Sequence, residues 1–213
     1  PKQRENNVRF IIMNYFREEI FPYLQPVLVS RSRVKVFLRA DRLYLCTRLV
    51  RKDNGSKEYY IMKLPYSKVP RFVELPPKDG YYYLMYMEDI IKANIGQMFP
   101  GYEVDCSYCC KISRDADVMV DNASTSEMMV EQLKKKVKKR KIGAVCRFVY
   151  DRHMPADFLN YLVDAFEISP DELVPGDKHL NLEDLKHLPN PNPDLKVPMR
   201  LSPMVLDGLK KKQ

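Results

Sequence analysis

The amino-acid sequence predicts an α+β domain in which helices pack on a mixed β-sheet. Strand-like and helix-like segments alternate irregularly along the chain, which argues against a regular β-α-β repeat. An Asp-Asn-Gly turn at 53–55 separates two β-rich runs and indicates a hairpin, because Asn and Gly both accept positive φ. With 45% hydrophobic residues among 213, the chain can bury a sizeable core.

Four longer helices are predicted from apolar residues at helical spacing and from signals at the helix ends, and short helices are predicted to begin at Pro170 and after Asp177. Pro22 ends the first helix, and Pro100 ends the second. Ser124 and Glu127 form a capping box that begins the third, and Pro155 fits the first turn of the fourth. The four longer helices span 8–21, 88–99, 124–141 and 156–166.

Strands are predicted where β-branched and aromatic residues cluster between turn signals. The predicted strands span 27–29, 34–38, 43–50, 59–64, 71–75, 81–87, 106–112 and 145–150. Prolines on both sides of 71–75 place that strand near a sheet edge or at a strand start. Ser169 to Glu172 form a second capping box, after which Val174-Pro175-Gly176 is predicted to turn the chain. Beyond Leu188 the sequence is rich in Pro and Asn and is predicted to be a linker.

Net charge favours a polyanionic partner such as nucleic acid, polyphosphate or a nucleotide, since 36 Lys and Arg outnumber 28 Asp and Glu. The most basic run, Lys134 to Lys141, holds seven positive charges in eight residues. It is either a landing site for a polyanion or a solvated helix end whose cations suit the helix dipole, and the second interpretation is favoured. The candidate polyanion contacts in this run are Lys134, Lys135, Lys138, Lys139 and Arg140.

Arg114 is a further candidate polyanion contact, because its planar guanidinium could hold a phosphate group. Asp115 and Asp117 follow it closely, so pairing of Arg114 with an acidic neighbour is the favoured alternative. The same two carboxylates lack the additional oxygen ligands that a metal site needs.

Cysteine and histidine usage points away from a self-contained active site. An odd count of five cysteines favours reduced thiols in the cytoplasm, and Cys106 and Cys109 would point to opposite faces of a strand rather than bind zinc together. The three histidines, His153, His179 and His187, sit in no recognisable catalytic constellation. No Gly-rich phosphate loop is present, and no apolar run approaches the ~20 residues of a membrane span. The sequence therefore predicts no catalytic, metal-binding or cofactor-binding residue.

Several motifs in their order resemble the middle, or head, domain of the bacterial polyphosphate kinases. They lie at 14–28, 64–73, 111–117, 147–155 and 174–176. The run Leu64-Pro-Tyr-Ser-Lys-Val-Pro-Arg-Phe-Val73 is the closest of them, and 111–117 departs from the family pattern at Ser113 and Asp117. Order and spacing agree over 8–190, so the expected domains are a head domain at 1–190 and a Pro-rich linker at 191–213.

The resemblance implies a fold similar to the phosphohistidine-phosphatase-like fold and a role in dimer contacts. The family enzyme, an ATP-binding, magnesium-dependent transferase, reversibly moves the terminal phosphate of ATP onto polyphosphate through a phosphohistidine. Its reactive histidines belong to C-terminal catalytic domains, so no catalytic residue carries over to this chain. We therefore interpret the chain as an inactive fragment of a cytoplasmic homodimer, partnered by the other domains of its polypeptide. Polyphosphate contact and a peripheral association of the whole enzyme with membranes are left open.

A nucleic-acid-binding module built on the helix at 134–141 is the alternative from another class. It would bind RNA or DNA tightly and in a salt-sensitive manner. The head-domain interpretation expects no nucleic-acid partner, and binding no tighter than the ~10⁻⁴–10⁻⁶ M of non-specific contacts. The absence of aromatic residues within the basic run counts against single-strand binding.

Overall fold

The structure, a computed structural model, describes residues 2–30, 38–114 and 145–192. Its strands form a six-stranded sheet and a separate two-stranded ribbon, with helices packed around them, so the predicted α+β class is confirmed. The strands are β1 Val27–Val29, β2 Arg42–Arg51, β3 Lys57–Lys63, β4 Phe72–Lys78, β5 Tyr81–Tyr86, β6 Tyr102–Arg114, β7 Val145–Asp151 and β8 Leu173–Gly176.

The six-stranded sheet has the order β1-β3-β2-β6-β7-β8. Its pairs are antiparallel except β7 with β8, which run parallel. Helix α3, Ala156–Phe166, makes the crossover that a parallel pair requires, and its predicted bounds are confirmed. The mixed sheet thus arises from one parallel edge on an antiparallel core.

The β2–β3 hairpin confirms the turn predicted at 53–55. Gly55 has a φ of +69°, and its amide donates to the carbonyl of Arg51 over 2.9 Å. The Asn54 side chain accepts from the Ser56 amide over 2.9 Å, as an Asx turn does. This tight connection fixes the register that places Arg48 opposite Tyr59.

The helices before α3 are less regular than predicted. Helix α1, Lys2–Tyr15, continues as a π-helical stretch, Phe16–Ile20, and a 3-10 turn, Phe21–Tyr23, where the sequence predicts one helix over 8–21. Helix α2, Met87–Asn94, changes to a 3-10 turn at Ile95–Met98. Two more 3-10 segments, Pro170–Glu172 and Leu182–His187, follow α3, and the capping box between Ser169 and Glu172 is confirmed.

Two hydrophobic cores lie on the two faces of the main sheet. Alternate residues of β2 enter them, with Leu43 and Leu45 on one side and Tyr44 and Cys46 on the other. The first core is closed by the π-helical stretch and α2, and the second by α3. Burial on both faces explains why β2 is apolar from Leu43 through Cys46 rather than alternating.

The ribbon of β4 and β5 stands apart from the main sheet. Strand β4 extends through Pro76 and Pro77, which a two-stranded ribbon tolerates because each strand has a free edge. Its tip presents Tyr81, Tyr82 and Tyr83 to solvent, with 69%, 48% and 43% of their surfaces exposed.

Strand β8 corrects the turn predicted at Val174-Pro175-Gly176. These residues pair with β7 in parallel, and Pro175, which has no amide hydrogen to donate, occupies the last strand of the sheet. A Cβ on Gly176 would lie 2.4 Å from Leu180 Cδ2 and 3.1 Å from Val149 Cγ1, so glycine allows the close packing of this edge. Pro175 and Gly176, although typical of turns, therefore form part of an edge strand here.

Other predicted segments have mixed outcomes. The strand predicted at 106–112 is longer, spanning Tyr102–Arg114. The strand predicted at 34–38 falls mostly, and the helix at 124–141 wholly, outside the described residues. The linker predicted at 191–213 is described only to residue 192 and stays a prediction.

Candidate functional site

A cleft of about 850 Å³ opens at one end of the main sheet, beside the ribbon. Here β2 begins while β3 and β6 end, so side chains from three strands meet at its rim. Five Lys or Arg and three Asp or Glu side chains line it. The cations are Arg39, Arg42, Lys63, Arg71 and Lys111, and the acids are Asp41, Glu74 and Asp184.

The wall of the cleft is held by the buried guanidinium of Arg71. Its Nε and Nη2 donate to Glu88 Oε1 over 3.2 and 2.7 Å, and Nη1 donates to Asp184 Oδ2 over 2.7 Å. Two further bonds reach the carbonyl oxygens of Leu180 and Asn181 over 2.6 and 2.9 Å. Burial opposes the charge of Arg71, but the hydrogen bonds that it donates to Glu88 outweigh burial and raise the arginine pKa. All five donor positions are engaged, so this cluster, named here the Arg71 clamp, is an internal brace.

Aromatic rings surround the Arg71 clamp. The guanidinium carbon lies 5.5 Å from the Tyr66 ring centroid and 5.3 Å from that of Tyr86, within cation–π range. The His179 ring stacks on Tyr86 at 3.8 Å between centroids. Burial, together with the nearby Glu88 carboxylate, raises the pKa of Tyr66 well above its usual value, so this phenol stays neutral.

Three cations on the rim differ from Arg71 because their charges are not balanced. Arg39, Arg42 and Lys63 are exposed, and their side chains form no ion pair with the described residues. Lys111, in contrast, donates to Asn181 Oδ1 over 2.8 Å and lies 3.6 Å from Asp41 Oδ1. The arrangement can therefore attract an anion electrostatically.

Arg114 lies at the same end of the sheet, but its Nε donates to the carbonyl oxygen of Leu38 over 3.1 Å. Burial lowers the pKa of Arg114. Whether it contacts a polyanion stays a prediction. The other candidate contacts, Lys134, Lys135, Lys138, Lys139 and Arg140, lie outside the described residues, as do Asp115 and Asp117.

The three histidines are spread over separate surroundings. His153, with 64% of its side chain exposed, has Nδ1 2.8 Å from Asp151 Oδ1, which is the surface hydrogen bond that its turn position suggests. His179 Nε2 lies 3.3 Å from Asp89, and His187 lines the cleft. The structure thus does not bring the histidines together.

The cysteines are reduced strand residues where the structure describes them. Cys109 packs in one core and Cys106 against the other, as their spacing predicts, and burial raises the pKa of Cys109 to about 12. Cys46 and Cys110 are both fully buried, with their sulfurs 3.2 Å apart across β2 and β6. Within the described ranges, no group of three or more His, Cys, Asp or Glu side chains is placed to hold a metal ion.

Sequence reasoning missed the rim cations because each stands alone in the chain. The predicted hairpin nevertheless indicated that two of them lie close together, because the start of β2 and the end of β3 are neighbours in an antiparallel pair. The predicted hairpin therefore already brought Arg42 and Lys63 to one end. Arg71 stood within the run at 64–73, yet its burial depends on Glu88 and on residues 180–184, more than 100 positions away.

No helix in the described ranges has both the length and the apolar character needed to cross a membrane. The fold and the site together define an α+β domain with a braced interior and a cationic cleft. The family model for the polyphosphate kinase middle domain matches residues 8–188. The chain belongs to that family, as its motifs imply.

Known relatives agree with this assignment. Polyphosphate kinase of Vibrio parahaemolyticus is 30% identical over 186 residues, covering 84% of this chain and 26% of that protein. The enzyme of Salmonella typhimurium is 30% identical over 196 residues, or 89% of this chain and 28% of its own length. The crystal structure of Porphyromonas gingivalis polyphosphate kinase superposes with a TM-score of 0.72 at 37% identity, covering 93% of this chain and 28% of that one. The chain thus spans about a quarter of each relative.

Proposed function

We propose that this chain is the non-catalytic middle domain of a cytoplasmic polyphosphate kinase, where it positions the catalytic domains and contributes to a homodimer. The parent enzyme would transfer the terminal phosphate of ATP reversibly onto polyphosphate with magnesium and a phosphohistidine. That chemistry would belong to the remaining three quarters of a protein as long as the relatives.

The surroundings of the three histidines carry the non-catalytic part of the proposal. A phosphohistidine needs an accessible ring nitrogen together with groups that bind the transferred phosphate. His153 has an orienting carboxylate but lies outside the cleft, and His179 is stacked against Tyr86 beside Glu88 and Asp89. His187 lines the cleft without an ion-pair partner in the described ranges. Within the part of the chain that the structure describes, none of the three combines an orienting carboxylate with a place in the cationic cleft.

Incubation of the chain with γ-labelled ATP, magnesium and polyphosphate is expected to leave it unlabelled, because no histidine is equipped to accept the phosphate. Denaturing gel electrophoresis at alkaline pH, which preserves phosphohistidine, measures the label. A full-length relative serves as the positive control, and His153→Ala as the matched variant. Covalent label on the wild-type chain that disappears in His153→Ala, or in the same change at His179 or His187, would refute the proposal.

The exposed tip of the ribbon supports the proposed dimer contact. Tyr81 and Tyr83 lie on one face of β5 and together present apolar ring surface to solvent. Clustered exposed apolar surface marks interaction sites, and tyrosine is enriched at interfaces. The tip of the ribbon belongs to neither core, so it can contact a second copy of the chain while Val73 and Met85 stay packed in the first core.

The double variant Tyr81→Ser/Tyr83→Ser is expected to shift the chain from dimer to monomer, because it removes two aromatic anchors from the ribbon. Sedimentation velocity at micromolar concentration measures the shift. Tyr23→Ser, at a tyrosine of similar exposure (48%) outside the ribbon, is the control and should leave the dimer intact. A wild-type monomer, or an unchanged dimer in the ribbon variant, argues against this contact.

A further inference from the structure

We infer that the cleft at the sheet end is a binding site for the phosphate chain of inorganic polyphosphate, with Arg39, Arg42 and Lys63 as its principal contacts. The inference rests on the proposed function in its choice of ligand, and it assigns to that ligand a site in the middle domain. The contacts differ from the candidate residues at 134–140, which the basic run singles out.

Strand register brings these cations together. Tyr44 pairs with Lys63 across β2 and β3, and Arg42 stands two residues before Tyr44 on β2. Arg39 lies just before β2, where its backbone amide donates to the Tyr44 hydroxyl over 2.8 Å. Sheet geometry therefore sets Arg42 and Lys63 along one rim, and the hydrogen bond to Tyr44 holds the backbone of Arg39 beside them.

The charge on this rim is available to a ligand. Arg71 is saturated by the Arg71 clamp, and Lys111 is held by Asn181 and Asp41. Among the acids that line the cleft, Glu74 has no ion pair with the described residues. It faces three cations that also have none, namely Arg39, Arg42 and Lys63. The rim keeps a positive excess, and guanidinium groups bind phosphate oxygens in bidentate fashion.

The lining of the cleft favours a chain of phosphates over nucleic acid. Three aromatic side chains reach it, of which Tyr15 and Tyr66 are half-buried and Phe72 is buried. Tyr66 also lies in cation–π contact with Arg71. Proteins that bind single-stranded nucleic acid offer exposed aromatic faces on which bases stack. A polyanion without bases, such as polyphosphate, needs only the cations of the cleft for binding.

The cleft opens at the end of the sheet where β6 ends and β7 begins. Arg114, the last residue of β6, pairs there with Val145, the first residue of β7. The predicted contacts Lys134 to Arg140 lie outside the described residues, so the inferred site consists of Arg39, Arg42 and Lys63 alone.

The triple variant Arg39→Ala/Arg42→Ala/Lys63→Ala is expected to bind long-chain polyphosphate at least about tenfold more weakly than the wild-type chain, because three charge-assisted contacts are lost. The slope of log affinity against log salt concentration should become shallower by about 2–3, since fewer counterions are released. Isothermal titration calorimetry with polyphosphate at several salt concentrations measures both quantities. Arg9→Ala/Lys52→Ala/Lys78→Ala removes the same charge from exposed positions outside the cleft and should change affinity little.

Equal losses in the two triple variants would overturn the inference, because net charge alone would then explain binding. So would full affinity in the cleft variant, or equal competition by orthophosphate, which would indicate an isolated phosphate site. Tighter binding of an RNA oligonucleotide than of polyphosphate would assign the cleft to nucleic acid instead.

Arg42→Gln and Lys63→Gln, each at an exposed residue, repeat the test if the triple variant misfolds. The labelling and sedimentation experiments test the proposed function independently of this inference. Loss of the inference through the binding experiment would leave the proposed function unaffected, and covalent labelling of the chain would leave the inferred polyphosphate site unaffected.

Discussion

Replacing Arg71 with alanine is expected to lower the free energy of unfolding by about 3–5 kcal/mol, the range for breaking a buried ion pair. Glu88 has no solvent exposure and would be left buried without the guanidinium that now contacts it at 2.7 Å. The carbonyl oxygens of Leu180 and Asn181 would lose donors at the same time. The effect is large because one side chain joins β4, α2 and the segment that follows β8.

Urea unfolding followed by circular dichroism measures this loss. Arg51→Ala is the matched control, because Arg51 also pairs with two carboxylates but leaves 41% of its side chain exposed. Exposed ion pairs contribute at most about 1 kcal/mol, so the control should remain near wild type. A second variant, Arg71→Met/Glu88→Leu, removes both charges and should recover part of the stability. Similar losses for Arg71→Ala and Arg51→Ala would show that the Arg71 clamp is not a brace.

Replacing Phe158 with alanine is expected to cost a further large amount, about 3–5 kcal/mol, because it opens a cavity in the core beneath α3. Its ring is fully buried, 5.2 Å from the Tyr59 centroid and 6.2 Å from that of Tyr108. Arg48 lies over the same ring at 5.5 Å while its guanidinium bonds Asp105 and Asp157. The substitution removes the apolar support of that ion-pair network as well as the ring itself.

Thermal and urea unfolding of Phe158→Ala should be compared with Phe10→Ala, which truncates a phenylalanine that is 58% exposed on α1. The control should change stability by no more than about 0.5 kcal/mol, as surface substitutions usually do. If both variants lose the same stability, α3 does not seal the second core. Retention of the far-ultraviolet spectrum in Phe158→Ala would separate loss of packing from loss of fold.

Local signals predicted the elements whose cause is local. Pro155 and an apolar stripe define α3, and the Asn-Gly turn defines the β2–β3 hairpin, so both are confirmed. Strand β8 escaped prediction because Pro175 and Gly176 are turn residues by local preference, and their extended conformation comes from pairing with β7. The change from α1 to a π-helical stretch likewise follows packing, since Phe16 and Ile20 are both fully buried.

The site was harder to predict than the fold because its parts are scattered. Charge density along the chain points to Lys134 to Lys141, whereas the cleft gathers cations that stand singly at strand ends. The partners of Arg71 likewise meet only once strand order is known, since Glu88 is 17 residues away and Asp184 is 113. Residue type and spacing alone cannot predict such long-range contacts, because they depend on the order of the strands in the sheet.

The pairing of Arg114 with Val145 also bears on how this domain can vary in length. The two strand ends that flank residues 115–144 are neighbours, so the register of β6 and β7 does not depend on how many residues join them. As a general rule, doubling the length of a loop costs only about 0.6 kcal/mol in closure entropy. Insertions and deletions between Arg114 and Val145 should therefore leave the pairing of β6 with β7 intact.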